Sequence, residues 1–121
     1  VSPWLDIALD NPEVNPYVEK DILLNLENVR AVGTIYRGEL DVFDYRVSPI
    51  KGDLSKLGRI GVYYTSEEIL KPDCEKLLSF QAEGTQVKGF EFEGLWHDFV
   101  LWPIPERDYF IELMSAYMYT V

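Results

Sequence analysis

The stretch "RIGVYYTSEEILKPDCEKLLSFQAEGTQVKGFEFE", residues 59–93, contains the clearest secondary-structure signals of the chain. Its first seven residues alternate apolar and other side chains, which predicts a strand. The following "TSEE", residues 65–68, matches a capping box and predicts the start of a helix. Pro72 either ends that helix after one turn or starts a second helical piece, and Gly84 ends the helical region. The "QVKGFEFE" of residues 86–93 predicts another strand.

The segments before this stretch predict two helices followed by a β-hairpin. Ser2 and Pro3 are suited to open a short helix, and the spacing of apolar residues predicts a second helix over residues 17–28. The β-branched and aromatic segments 29–36 and 38–47 predict two strands joined by a turn at Arg37 and Gly38.

The segments after this stretch predict one more strand and a final helix. The "LWHDFVLW" of residues 95–102 predicts the strand, and Pro105 starts the helix. The predicted order is therefore ααβββαββα, with short turns between neighbouring strands. We expect a single α+β domain over residues 1–121, with a mostly antiparallel sheet of about five strands and helices packed on one face.

The composition is acidic, with 21 Asp and Glu residues against 11 Lys and Arg residues and a net charge of −10. A surface of this charge repels nucleic acids and anionic membranes. It attracts cationic molecules over long distances, so the sequence predicts a basic protein partner.

The chain has one cysteine, Cys74, which rules out a disulfide within the chain and any site built from several thiolates. A lone thiol is typical of a reducing compartment, and the N-terminal residues have no basic leader, so we expect a cytoplasmic protein. No glycine pattern for binding nucleotide phosphates is present, and we expect no cofactor.

His97 is the only histidine of the chain, and the predictions place it on a strand. Side chains of neighbouring strand residues point to opposite faces, so Asp98 should not pair with the imidazole ring of His97. A G-x-S-x-G nucleophile motif is also missing from the sequence. We therefore predict no catalytic residue.

Two pairs of acids, Glu39 with Asp41 and Glu91 with Glu93, are each spaced by two residues. On adjacent strands they could together bind a hard cation, or two of them could act as acid and base in glycoside hydrolysis. Alternation of acidic and apolar residues is, however, the ordinary pattern of a sheet with one wet face, and we predict no metal site.

Aromatic side chains that are exposed beside carboxylates are typical of protein-binding surfaces. Trp96 lies among such acids if its strand is uncovered on one side. The candidate partner-binding residues are Glu91, Glu93, Trp96, His97, Asp98, Glu39 and Asp41.

These features predict a non-catalytic protein-binding module. In size, charge and predicted fold class the chain resembles the small acidic immunity proteins with which bacteria neutralise toxic nucleases. The resemblance implies an inhibitor of a basic partner such as a nuclease. Two alternatives remain open: a small enzyme or ligand-binding domain with a cavity near His97, Glu91 and Glu93, and an assembly subunit of a phage or secretion system.

Overall fold

The computed structural model describes residues 1–120. Five regular elements follow one another along the chain: α1 (Leu26–Arg37), β1 (Gly58–Thr65), α2 (Lys71–Leu78), β2 (Thr85–Phe92) and α3 (Pro105–Tyr119). Three short 3₁₀ helices lie at Pro12–Tyr17, Pro49–Lys51 and Phe99–Leu101.

The two strands are parallel, and α2 connects them. Their register runs from Gly58 opposite Thr85 to Thr65 opposite Phe92. Within residues 1–120 these are the only strands of the sheet. The predicted antiparallel five-stranded α+β fold is therefore wrong. Alternating hydrophobicity shows which face a side chain occupies, and it carries no information about whether the paired strand runs in the same direction.

Both faces of the sheet are covered by apolar side chains. On one face, Val62 and Tyr64 of β1 pack with Cys74 and Leu77 of α2. On the other face, the buried residues are Tyr63, Phe92, Phe99 and Phe110. Burial on both faces is the usual condition of a parallel strand pair.

Residues 29–47, for which the sequence predicts a hairpin, form the larger part of α1 and a series of turns. The side chain of Asn25 caps α1 by accepting the N–H of Asn28 at 3.0 Å. Leu26 packs into a buried cluster with Leu9, and the guanidinium of Arg30 donates to the carbonyl of Leu9 at 2.6 Å. The hairpin prediction is wrong because these tertiary contacts override the strand preference of β-branched residues.

The two helices predicted before residue 29 are also largely wrong. Between residues 17 and 25 the chain turns, because Asp21 Oδ1 accepts the backbone N–H groups of Leu23 and Leu24 at 3.0 and 2.8 Å. Such local bonds compete with a helix. The first residues are irregular, with positive φ at Ser2 and Leu9, and the N–H of Ser2 donates to the carbonyl of Tyr63 on β1 at 2.7 Å.

The predictions for β1, β2 and α3 are confirmed, and Pro72 lies in the first turn of α2, so the second of its two alternatives holds. The strand predicted over residues 95–102 is wrong, because this segment is a loop that ends in the 3₁₀ helix Phe99–Leu101. None of the helices within residues 1–120 combines the length and the apolar character that crossing a membrane requires.

Candidate active site

A buried carboxylate and the only imidazole meet at the C-terminal edge of the two strands. Glu68 follows the last residue of β1 by three positions, and His97 follows the last residue of β2 by five. Since the strands are parallel and in register, their C-terminal ends lie side by side. Loops at this edge are where functional groups of open α/β sheets usually lie.

The carboxyl group of Glu68 is fully buried and accepts several hydrogen bonds. Its Oε1 accepts the backbone N–H of Thr65 at 2.9 Å and the hydroxyl of Ser2 at 3.1 Å. Its Oε2 lies 2.9 Å from Nδ1 of His97. Two donors at one oxygen and an imidazole at the other give this buried carboxyl group the hydrogen-bond partners that it needs.

The imidazole of His97 lies between two acids. Its Nδ1 faces Glu68, and its Nε2 lies 3.2 Å from Oδ2 of Asp98. Burial of the ring disfavours the charged form, but the hydrogen bond to Glu68 and the negative charges of Asp98, Glu68 and Asp21 outweigh it. The pKa of His97 is therefore raised above its ordinary value.

Asp98 reaches the ring because this segment is a turn. Its backbone is left-handed, with φ 51° and ψ 35°, so the side chains of His97 and Asp98 do not point to opposite faces as they would in a strand. The prediction that Asp98 cannot pair with His97 is therefore wrong.

The loops that carry Glu68 and His97 are bound to each other. The N–H of Ser66 donates to the carbonyl of Phe92 at 3.1 Å, and the N–H of Gly94 donates to the hydroxyl of Ser66 at 2.7 Å. Phe99, two residues after His97, is fully buried between the rings of Phe92 and Phe110. These contacts hold the imidazole in position relative to the carboxylate.

An open cavity of about 400 Å³ lies beside His97. Its walls are almost entirely uncharged. They come from the N-terminal segment (residues 1–11), from the turn before α1, from α1 itself and from the residue before α2. The lining residues are Trp4, Leu23, Leu24, Asn25, Asn28, Val29, Val32, Leu70 and His97.

The other candidate residues either lie away from this pair or form contacts of a different kind. Glu39 and Asp41 are exposed in the turns after α1, and β2 pairs with β1, so the two acid pairs do not lie on adjacent strands. Glu91 forms an ion pair with Lys71 of α2 at 2.5 Å, and Glu93 is exposed. Trp96 is partly buried, with its ring against Trp102. A role of these residues in binding a partner stays a prediction.

The sequence pattern does not identify Glu68 as a site residue, because its place in "TSEE" indicates a helix cap. The backbone of Thr65 does donate to Glu68 as in a capping box, but no helix starts there. Two positions in the sequence could have identified the pair. Glu68 comes shortly after the strand predicted over residues 59–65, and His97, the only histidine, comes shortly after the strand predicted over residues 86–93.

A histidine oriented by a buried carboxylate can act as a general base toward a hydroxyl nucleophile. Within residues 1–120, no hydroxyl or thiol is hydrogen-bonded to Nε2 of His97. Cys74 is buried, and this burial raises the pKa of its thiol, which opposes a role as nucleophile. Over the same residues, no group of three His, Cys, Asp or Glu side chains is arranged to bind a metal ion.

Comparison with known proteins agrees with this arrangement. A family model described as the alpha/beta hydrolase fold matches residues 1–101 of the chain. The chain therefore belongs to the alpha/beta hydrolase fold family.

Individual relatives support the same assignment. An acetyl-hydrolase of Streptomyces hygroscopicus is 28% identical over 126 residues, and the match covers 99% of this chain and 41% of the relative. Among solved structures, an esterase from the bacterial hormone-sensitive lipase family superposes with a TM-score of 0.90 at 22% identity, over 97% of this chain and 40% of the other. EstE7, a hormone-sensitive lipase homologue from a metagenome library, has a TM-score of 0.89 at 23% identity, with coverages of 97% and 41%. The chain thus spans about two fifths of the length of these proteins.

The prediction of a non-catalytic inhibitor of the immunity type is wrong. Membership of the alpha/beta hydrolase fold family and the similarity to a relative named acetyl-hydrolase contradict it. Size, charge and composition misled the prediction because they describe the surface of a protein, whereas activity depends on the arrangement of a few side chains.

Proposed function

We propose that this chain supplies the general base of an ester hydrolase and the carboxylate that orients this base. In this proposal His97 is the general base and Glu68 is the carboxylate that orients it. The observation that carries the proposal is the 2.9 Å contact between Oε2 of the fully buried Glu68 and Nδ1 of His97 at the C-terminal edge of parallel strands.

The order of the two residues in the chain supports this assignment. In alpha/beta hydrolases the catalytic groups follow one another as Ser, then Asp or Glu, then His. Glu68 precedes His97, in agreement with that order. The serine would precede both, and we propose that it belongs to a strand–turn–helix motif outside these 121 residues.

Each of the two residues then has a defined role in the reaction. Nε2 of His97 removes the proton from the serine hydroxyl as the oxygen attacks the ester carbonyl. The same nitrogen returns the proton to the departing alcohol, and an acyl-serine forms. Water then attacks this intermediate with His97 again acting as base, which releases the acid. Glu68 stays ionised and stabilises the imidazolium in both steps.

The cavity beside His97 is suited to bind a neutral, apolar group of the substrate. Its walls include Trp4, Leu24, Val29 and Val32, with Asn25 and Asn28 as polar groups. A few polar groups in an apolar cavity are typical of small-molecule sites. With a relative named acetyl-hydrolase, we propose esters of short acyl groups as substrates.

The test is hydrolysis of p-nitrophenyl acetate by the protein as its cell makes it. His97→Ala and Glu68→Gln are each expected to lower kcat/KM by a factor of about 10³ or more. Glu93→Gln is the control, because it removes one exposed charge near the same loop and should keep full activity. Full activity of His97→Ala would overturn the proposal.

A second measurement concerns the nucleophile. A fluorophosphonate probe should label one serine, in a G-x-S-x-G sequence, and the His97→Ala protein should react far more slowly. Labelling of a serine within residues 1–121 would contradict the proposed origin of the nucleophile.

Two further expectations accompany the proposal. A cytoplasmic location is consistent with the single cysteine of the chain. A basic protein partner stays a prediction that rests on the net charge of −10.

A further inference from the structure

Both ring nitrogens of His97 face a carboxylate. Nδ1 lies 2.9 Å from Oε2 of Glu68, and Nε2 lies 3.2 Å from Oδ2 of Asp98. Nδ1 is hydrogen-bonded to Glu68, and the contact of Nε2 with Asp98 is an ion pair, which is attractive only when the ring is protonated. A neutral imidazole has one donor and one acceptor nitrogen, and only the imidazolium can satisfy both acids.

Nε2 is also the atom that must accept a proton from the nucleophile in the proposed mechanism. A protonated Nε2 that faces the carboxylate of Asp98 has no free lone pair for that step. The two acids differ in freedom: Glu68 is fully buried and held by Thr65 and Ser2, whereas the side chain of Asp98 is 40% exposed. Asp98 can therefore turn away into water, and Glu68 cannot.

The other groups around the ring do not replace Asp98. Asp21 adds negative charge, but its two carboxylate oxygens accept the backbone N–H groups of Leu23, Leu24 and Ile69. The cavity side of the ring has only uncharged walls. Asp98 is thus the acid whose contact with Nε2 can be made and broken.

We infer that Asp98 is a positioning residue that keeps the proposed base protonated and covered in the resting site. When the imidazolium gives its Nε2 proton to water, the lone pair of Nε2 and the carboxylate of Asp98 repel each other. Asp98 then turns into water and exposes Nε2 to the hydroxyl of the nucleophile. This inference rests on the proposed function, and it predicts an acidic limit of activity that Asp98 moves to higher pH.

The first test needs no substrate, and comparison with the spectrum of His97→Gln identifies the ring signals of His97 in the protein as its cell makes it. Long-range ¹H–¹⁵N NMR spectra of this ring, recorded across a pH range, give the midpoint of protonation and the tautomer. In Asp98→Asn the midpoint should lie at lower pH than in the wild type, and the neutral ring should carry its proton on Nδ1, toward Glu68. Glu93→Gln, which removes an equal charge without a contact to the ring, should leave the midpoint almost unchanged.

Asp98→Gly is the control for an effect of the substitution on the backbone conformation. Asn tolerates the left-handed conformation of residue 98, and Gly adopts it freely. Both variants should shift the midpoint in the same direction. A midpoint that stays at the wild-type value in both variants would overturn the inference.

The second test is the pH profile of kcat/KM for p-nitrophenyl acetate. The acidic limb of Asp98→Asn should move to lower pH together with the NMR midpoint. At a pH one unit below the wild-type limb we expect roughly a three- to tenfold gain over the wild type. A shifted NMR midpoint with an unshifted limb would overturn the proposed gating. A complete lack of ester hydrolysis in the wild type would overturn the proposed function instead, and the NMR midpoints would still decide whether Asp98 holds the proton on His97.

Discussion

The hydroxyl of Ser2 donates to Oε1 of Glu68 across 3.1 Å, although 66 positions separate the two residues. The N-terminal segment is thereby bound to the loop after β1, and the N–H of Ser2 also donates to the carbonyl of Tyr63 at 2.7 Å. The carboxylate of Glu68 is therefore important for folding stability as well as for the proposed chemistry.

We expect Glu68→Ala to lower the free energy of unfolding by about 3 kcal/mol, because the substitution leaves the donors of Thr65 and Ser2 without their buried acceptor. Ser2→Ala removes a single neutral hydroxyl and should cost about 1 kcal/mol. Urea unfolding followed by tryptophan fluorescence measures both. Equal stabilities of Glu68→Ala and the wild type would contradict the structural role.

The stability should also depend on pH through His97. The pKa of His97 is raised in the folded protein, because its hydrogen bond to Glu68 and the nearby negative charges outweigh the effect of burial. Its stabilising contribution is then complete below the ordinary histidine pKa of about 6.5 and is lost as the pH rises through the folded value. The wild type should exceed His97→Gln in unfolding free energy by more at about pH 5.5 than at about pH 9. A difference that is constant or grows with pH would contradict this.

Gly33 on α1 should not tolerate a side chain. A Cβ atom there would lie 2.7 Å from the carbonyl oxygen of Ile7 and 3.0 Å from the ring of Trp4. Alanine gains about 1 kcal/mol in helix propensity, but the contact with the backbone would push α1 away from the N-terminal segment. We expect Gly33→Ala to lose about 1–3 kcal/mol of stability in urea unfolding. Thr34→Ala, at an exposed position of the same helix, is the control, and a stabilised Gly33→Ala would refute the close approach.

Cys74 should be unreactive until the protein unfolds. Cys74 lies on α2, and its thiol is fully buried against β1. Burial raises the pKa of the thiol, so little thiolate is present near neutral pH. A thiol-reactive aromatic disulfide should label the native protein at the rate of its unfolding. The same reagent should react within seconds in concentrated urea, and rapid labelling without urea would show that the thiol is accessible.

Local signals in the sequence predicted some elements well. The alternation in residues 59–65 and 86–93 identified both strands, and the prolines at 72 and 105 placed the starts of α2 and α3. Each of these signals acts over a few neighbouring residues, which is why it can be recognised without knowledge of distant contacts.

Other segments could not be predicted in this way. The β-branched residues of α1 favour a strand locally, and the helix forms because Leu26 and Arg30 contact the N-terminal segment. Asp21 looks like an exposed helical acid, but its oxygens hold a turn and the N–H of Ile69. Both cases involve a contact with a distant residue, because Arg30 is 21 positions from Leu9 and Asp21 is 48 positions from Ile69.

The residues needed for the proposed chemistry, one imidazole and a carboxylate before it, can be read from the chain without any structure. Their contact cannot be read in this way, because Glu68 and His97 are 29 positions apart in the chain. Two parallel strands in register bring the loops together, and the turn at Asp98 directs the imidazole toward both acids. Strand direction and side-chain orientation in a turn depend on packing across the whole domain, so they arise only when the chain has folded.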